Sequence, residues 1–123
     1  APVDFNNMAL AATDALGEHD FCAFMTTGSK IESTVRTVTR SEWTREGNLL
    51  YYDVSANGFL YNMVRILVGT MLEIGSGNLP VNAISHALET KNRLDAGPTA
   101  PAHGLMLMRV VYDGFDTEEV LSR

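Results

Sequence analysis

The sequence is poor in the residues that cross-link small proteins. It contains one cysteine, Cys22, which has no second cysteine to pair with, and no Cys or His spacing suits a structural zinc ion. Nine basic residues against fifteen acidic ones leave a formal net charge of -6, which argues against binding of nucleic acid or anionic lipid by the whole surface. A secreted disulfide scaffold and a zinc module are therefore excluded, and we expect a reducing, cytoplasmic setting.

Long apolar runs are also missing. The most apolar stretch, residues 63–74, contains Arg65 and Glu73 and is shorter than the roughly 20 apolar residues of a membrane-spanning helix. The first residues lack the basic and apolar regions of a secretory signal peptide. What is present is a chain of 123 residues, 46% of them hydrophobic, which is enough for one domain that buries roughly two thirds of its extended surface.

Hydrophobic periodicity and turn residues predict the order of the elements. They indicate a helix over 4–16, a helical turn over 18–24, an antiparallel hairpin of strands 33–43 and 49–56, helices over 59–74 and 82–90, and a strand over 105–112. Residues 114–123 are expected to form a mobile tail. This order predicts an α+β fold in which an antiparallel sheet carries helices packed on one face. Because three strands leave exposed edges, we expect another segment or a second copy to complete the sheet.

Arg65 is the residue that says most about chemistry. Aliphatic residues flank it on both sides in the predicted buried helix, and its guanidinium cannot lose its charge. Burying an unpaired ion costs on the order of several kcal/mol, so Arg65 requires a carboxylate, a phosphate or a cluster of carbonyls. An acid of the same chain, or a path for the side chain to solvent, would meet this need as well as an external anion would.

The other patterns carry less information. The three histidines lie on separate predicted elements, and the serines lack the glycine frame of a nucleophile elbow. Lys30, Arg36 and Arg40 would form a track able to contact phosphates if they face one way. They are interspersed with acidic residues, however, which is also the pattern of a solvated strand of mixed charge.

Four ordered blocks of the sequence resemble the TruA family of tRNA pseudouridine synthases. The central block is NGFLYNMVR at residues 57–65, followed by Val68-Gly69 and the loop at 75–80; the others are GEHDFCAF at 17–24, TVRTV at 34–38 and APAHGLMLMRVVY at 100–112. The similarity extends over roughly residues 8–113 and concerns only the second half of such an enzyme. The Arg-Thr-Asp motif of the other half, which carries the catalytic aspartate, does not occur in these 123 residues.

The resemblance implies specific roles for four residues. Arg65 aligns with the arginine that pairs with the catalytic aspartate, and Leu105 with an apolar residue that lines the uracil pocket. Lys30 and Arg36 lie where the family's cleft meets the tRNA backbone.

The resemblance also implies an activity. It is the isomerisation of uridine to pseudouridine in the tRNA anticodon stem-loop, by a homodimer that needs no cofactor and no metal. The chain is expected to need the N-terminal half of the same enzyme and to be inactive alone, because the nucleophilic aspartate is missing. The alternatives are a non-enzymatic α+β module for dimerisation, in which Arg65 forms an internal salt bridge, and an RNA-binding module.

Overall fold

One mixed sheet and three helices make up the described parts of the computed structural model, which are residues 3–27, 31–47, 49–101, 106–112 and 115–120, the last two ranges as backbone only. The sheet has the order β1 (Gly17–Asp20), β2 (Val35–Glu46), β3 (Leu49–Ala56), β4 (Met106–Tyr112) and β5 (Phe115–Val120). The helices are α1 (Phe5–Thr13), α2 (Met63–Gly75) and α3 (Ala83–Thr90), with short 3-10 turns at Cys22–Phe24 and Arg93–Asp95.

The strand directions follow from the connections. Neighbouring strands joined by short segments are antiparallel, as in the predicted hairpin of β2 and β3, where Trp43 lies opposite Tyr52. Strands β3 and β4 are parallel, with Leu50 opposite Met106, because the chain returns through α2 and α3 before it re-enters the sheet. The α+β class is therefore confirmed, whereas the expected antiparallel pairing does not hold for β3 and β4.

Two strands lie where the sequence predicts other structure. The segment Gly17–Asp20 pairs with β2, although residues 18–20 were expected to begin a helical turn over 18–24; only Cys22–Phe24 forms one. The segment Phe115–Val120 pairs with β4, so the predicted tail is wrong for these residues. Both strands are short and rich in charged residues, which are depleted in strands generally but tolerated at sheet edges. They complete the sheet from within the chain.

The core lies between the helices and one face of the sheet. Along β3 the inward side chains are Tyr52, Val54 and Ala56, and along β2 they include Val38 and Trp43. The indole Nε1 of Trp43 donates to the sulfur of Met71 on α2 at 3.1 Å, which joins sheet and helix directly. Helix α2 supplies the largest share of buried side chains, among them Met63, Ile66, Leu67, Val68, Met71 and Ile74.

One polar pair sits inside this core. The hydroxyl groups of Ser41 and Tyr52 are 2.6 Å apart and buried, so each satisfies the other. Burial raises the pKa of Tyr52 well above its ordinary value, and the phenol therefore stays neutral. Within the described ranges, no helix combines the length and the apolar character needed to cross a bilayer.

Candidate functional site

Residues 97–100, which we call the crossing segment, run over α2 at very short distance. A Cβ atom at Gly69 would lie 1.8 Å from the carbonyl oxygen of Pro98, and one at Gly97 would lie 2.7 Å from the Cα of Thr70. Both contacts are with backbone atoms, which cannot turn away as a side chain can. The close approach therefore requires glycine on the helix and in the crossing segment.

A buried hydroxyl holds the start of the crossing segment. The backbone N–H of Gly97 donates to Oγ1 of Thr70 at 2.8 Å, and the same hydroxyl donates to the carbonyl of Ile66 at 2.7 Å. Thr70 is completely buried. From the outer side, Nη1 of Arg93 donates to the carbonyl of Gly97 at 2.7 Å. The first residue of the crossing segment is thus bonded through both of its backbone polar groups.

Arg65 holds the other end of the crossing segment. Its Nε donates to the carbonyl oxygen of Ala100 at 2.8 Å, and the N–H of Ala100 donates to the carbonyl of Arg65 at 2.9 Å. Among the described residues, no hydrogen bond of the two terminal nitrogens of the half-buried guanidinium is found, so within this part of the chain they can bind another group. The ion pairs found among the described residues do not include Arg65. A carbonyl partner is therefore present, and an acid of the described chain is not.

The beginning of α2 is anchored to the loop that follows Phe24. Asn62, the residue before the helix, has a left-handed backbone with φ of 61°, a conformation that asparagine tolerates better than most residues. Its side-chain amide donates to Oγ1 of Thr26 at 3.0 Å, and the N–H of Thr26 donates to the carbonyl of Tyr61 at 3.1 Å. These bonds fix the direction in which the helix starts, and with it the position of Arg65 one turn further on.

An open cleft lies where β2 and β3 reach the segment before α2. It has a volume of about 430 Å³ and is lined by Val35, Arg36, Asn57, Gly58 and Phe59. Asn57 closes the strand pair, since its Oδ1 accepts from the N–H of Thr37 at 2.9 Å and its own N–H donates to the carbonyl of Thr37 at 3.1 Å. The size falls within the range of small-molecule and nucleotide sites.

The cations predicted to contact phosphates have different surroundings. Arg36 lines the cleft, and its Nη1 donates to the carbonyls of Ser33 and Val35 at 2.9 and 2.8 Å. Arg40 is held by the carboxylate of Glu42, with Nε to Oε1 at 2.8 Å. The predicted track thus contributes Arg36 to the cleft but not Arg40. Lys30 and Leu105, the remaining two predicted site residues, lie outside the described residues.

Other reactive groups are engaged in local structure. Burial raises the pKa of the Cys22 thiol, which makes it a poor nucleophile. The imidazole of His19 is bonded to the carbonyl of Leu16 at 2.7 Å, and His86 lies 3.7 Å from Asp95. No group of three or more His, Cys, Asp or Glu residues in the described ranges could hold a metal ion. The chemistry of this part of the chain therefore concentrates on Arg65 and the cleft.

The sequence analysis singled out Arg65 and Arg36 but not the residues that join the crossing segment to α2. Thr70, Gly97 and Ala100 were not singled out. One signal was available, because a threonine inside an apolar helix must place its hydroxyl on a carbonyl of the preceding turn or on another element.

The chain is similar to proteins of one kind along most of its length. The model of a family described as tRNA pseudouridine synthase matches residues 11–113. The protein named tRNA pseudouridine synthase A of Acetivibrio thermocellus is 44% identical over 110 residues, which are 89% of this chain and 45% of that protein. The protein of the same name from Limosilactobacillus fermentum is 47% identical over 117 residues, 91% of this chain and 44% of that protein. The chain spans about half the length of the curated relatives it matches.

Proposed function

Because this chain belongs to the tRNA pseudouridine synthase family, we propose that it is the arginine-bearing half of an enzyme that isomerises uridine to pseudouridine in tRNA. The observation that carries the proposal is the state of Arg65. Its guanidinium is half-buried, fixed through Nε on a backbone carbonyl, and without an ion pair to any described residue. Such a group is prepared for an anion supplied by another part of the enzyme.

The anion that fits this reaction is a carboxylate. Pseudouridine formation breaks the bond between N1 of uracil and C1′ of ribose, turns the base, and joins C5 to C1′; C5 loses its proton and N1 gains one. An aspartate from the half outside this chain acts as nucleophile or proton-transfer group. Arg65 pairs with it, keeps its pKa low, and holds it ionised beside the ribose.

The cleft supplies the contact with RNA in this proposal. The target nucleotide must leave the base stack to be reached, and the cleft beside Arg36 and Phe59 has room for part of a nucleotide chain. Arg36 contacts phosphates there, and the family resemblance assigns Lys30 to the same role and Leu105 to the apolar lining of the uracil pocket. We place the modified uridine in the anticodon stem-loop, and the enzyme in the cytoplasm as a homodimer that uses no cofactor.

The net charge of -6 bears on how the RNA is held. Binding of a nucleic acid depends on neutralising its phosphates, and an acidic half does this poorly. We therefore infer that the N-terminal half and the partner subunit of the dimer provide most of the electrostatic attraction.

Release of tritium from tRNA labelled at C5 of uracil tests the division of labour. The full-length synthase should release tritium, and the 123-residue chain alone should release none. Release by the chain alone would overturn the proposal that the nucleophile lies in the other half. A parallel series with isolated anticodon, D-arm and T-arm stem-loops tests the region, because only the anticodon stem-loop should react.

The alternatives predict contacts that the described residues do not make. A non-enzymatic module would pair Arg65 with an acid of its own chain, and no such pair occurs among the described residues. A sheet platform for RNA would expose neighbouring aromatic residues on one face, whereas Tyr52 is buried against Trp43, with ring centres 5.0 Å apart, and adjacent strand residues point to opposite faces.

A further inference from the structure

Thr70 lies in the middle of α2. The packing of this helix alone does not explain a polar residue at this position. The residues around it on α2 are buried and apolar, and its side chain is completely buried. A buried hydroxyl is unfavourable unless it finds partners. Thr70 finds two, the carbonyl of Ile66 as acceptor and the N–H of Gly97 as donor.

The second of these bonds is connected to Arg65. The crossing segment has no regular secondary structure, so its polar backbone groups depend on neighbours. Gly97 is bonded to Thr70, and three residues later the carbonyl of Ala100 receives Nε of Arg65. Both contacts are on α2, about one turn apart. The position of the carbonyl that orients Arg65 thus depends on where Gly97 is held.

We propose that Thr70 is a positioning residue for the reaction, because it fixes the crossing segment whose Ala100 carbonyl sets the plane of the Arg65 guanidinium. A guanidinium is planar, so a bond at Nε determines where both terminal nitrogens point. With Nε on Ala100, the terminal nitrogens lie in a fixed plane, in which the aspartate of the proposed mechanism must approach them. The expected effect on the reaction rate rests on the proposed function, whereas the effect of Thr70 on the orientation of Arg65 does not.

Loss of the Thr70 hydroxyl should act on turnover more than on RNA binding. The replacement Thr70→Val keeps the shape of the side chain but leaves the N–H of Gly97 without its partner. Small displacements of a catalytic group reduce rates strongly, by about a hundredfold for 1 Å. We expect kcat of the full-length synthase to fall between about tenfold and a hundredfold, with KM for tRNA within about twofold. The variant Thr70→Ser keeps the hydroxyl and should recover most of the loss.

A matched control separates this role from a general effect on helices. Thr13 also donates its hydroxyl to a carbonyl of its own helix, Leu10 at 2.7 Å, but it is exposed and its side chain bonds to no other element among the described residues. The variant Thr13→Val should leave kcat and KM unchanged. An equal loss in Thr70→Val and Thr70→Ser, or a loss in KM alone, would overturn the proposal.

A second readout does not require activity. In the ¹⁵N-labelled full-length protein, the Nε–H signal of Arg65 should be slowed in exchange by its bond to Ala100. Thr70→Val should shift that signal and accelerate its exchange, Thr70→Ser should restore it, and Thr13→Val should not change it. An unchanged Arg65 signal in Thr70→Val would overturn the proposal.

The two measurements distinguish the two ideas. If the wild-type synthase shows no activity while the Arg65 signal responds as expected, the positioning role stands and the proposed function fails. If the wild type is active and neither kcat nor the signal responds, the positioning role fails and the proposed function stands. If Thr70→Val does not fold, Thr70→Ala serves with the same readouts.

Discussion

Two arginines of this chain differ in the charged groups that surround them. Arg40 lies on the open face of the sheet with 49% of its side chain exposed, and still has carboxylates on both sides, Glu42 at 2.8 Å and Asp53 at 3.8 Å. Arg65 is half-buried on α2, where a countercharge matters more, and its side chain has the carbonyl of Ala100 as its only partner among the described residues. Exposed ion pairs contribute about 0 to 1 kcal/mol, so the pairs of Arg40 are minor. The unanswered charge of Arg65 is the one that an additional group would stabilise.

The largest effect should come from exchanging each arginine for lysine in the full-length synthase. Arg65→Lys keeps the charge but loses the bond to Ala100 and the paired donors that fit a carboxylate. We expect the rate of tritium release to fall on the order of 100- to 1,000-fold. Arg40→Lys should remain within about twofold of wild type, since the ion pairs of Arg40 among the described residues are with Glu42 and Asp53 and a lysine still pairs with acids.

Thermal unfolding of both variants shows whether a loss of activity is caused by a loss of stability. Each should melt within a few degrees of wild type, because neither arginine belongs to the hydrophobic core. Similar losses of activity in the two variants would remove the special status of Arg65, and an active Arg65→Lys enzyme would contradict the role of its planar group.

The next largest effect should be on stability, at the place where the crossing segment passes α2. Gly69→Ala puts a Cβ 1.8 Å from the carbonyl oxygen of Pro98, and only a shift of the backbone relieves this. We expect the free energy of unfolding to fall by about 3 kcal/mol. The comparison variant is Gly75→Ala in the same helix, where the new atom meets side-chain atoms and not backbone, namely Sδ and Cγ of Met8 at 2.7 and 2.8 Å.

Urea denaturation of the two glycine variants gives the result. In both, alanine improves helix propensity, by up to about 1 kcal/mol, so the difference between them compares a clash with backbone to a clash with a side chain. Gly75→Ala should remain within about 1 kcal/mol of wild type. Equal midpoints for the two variants would mean that the crossing segment is not held tightly enough to position Arg65.

The sequence predicts those parts of the fold that depend on local pattern. The hairpin of β2 and β3 follows from β-branched residues and a turn, and α2 follows from a long apolar run that ends in glycines. Strands β1 and β5 could not be predicted in this way. Most of their residues are polar or acidic, and they are strands because a neighbouring strand offers them hydrogen bonds.

Within the candidate site, too, sequence pattern predicts some residues and not others. Arg65 could be found because a permanent charge within an apolar helix is a local contradiction. The crossing segment could not, since Gly97 and Ala100 meet α2 only after the chain has passed through α3. The parallel pairing of β3 and β4 has the same origin, because it depends on a long return path. Contacts between distant parts of the chain are what sequence pattern lacks.

A smaller effect on stability is expected at Asp20, a carboxylate that, like the guanidinium of Arg40, has partners within the chain. Asp20 accepts from the hydroxyl of Thr34 at 2.5 Å and from the N–H of Cys22 at 3.1 Å, with Lys91 at 3.9 Å. The bond from Thr34 lowers the pKa of Asp20 below the ordinary 3.8, with smaller help from Cys22 and Lys91. A lowered pKa stabilises the fold above the ordinary value, and this contribution disappears as the pH falls through the folded-state pKa.

Asp20→Asn should therefore reduce the free energy of unfolding at pH 7 by about 1 kcal/mol. The difference from wild type should shrink in urea titrations carried out below pH 3.8. A difference that is the same at pH 7 and pH 3 would show that the charge of Asp20 has no part in it.

The smallest effect should have the opposite sign. It concerns a carboxylate that, like the guanidinium of Arg65, has no ion-pair partner among the described residues. Asp14 follows the last residue of α1, and desolvation by burial raises its pKa above 3.8. A raised pKa means that the ionised form is disfavoured in the fold, so Asp14 costs stability at neutral pH, and the cost disappears as the pH falls below 3.8. It also places a negative charge at the negative end of a helix.

Asp14→Asn should raise the free energy of unfolding at pH 7 by a few tenths of a kcal/mol and change it little at pH 3. If Asp14→Asn and Asp20→Asn destabilise alike, the partners of a charge do not decide its effect in this fold, and the inference drawn from the missing partner of Arg65 weakens with them.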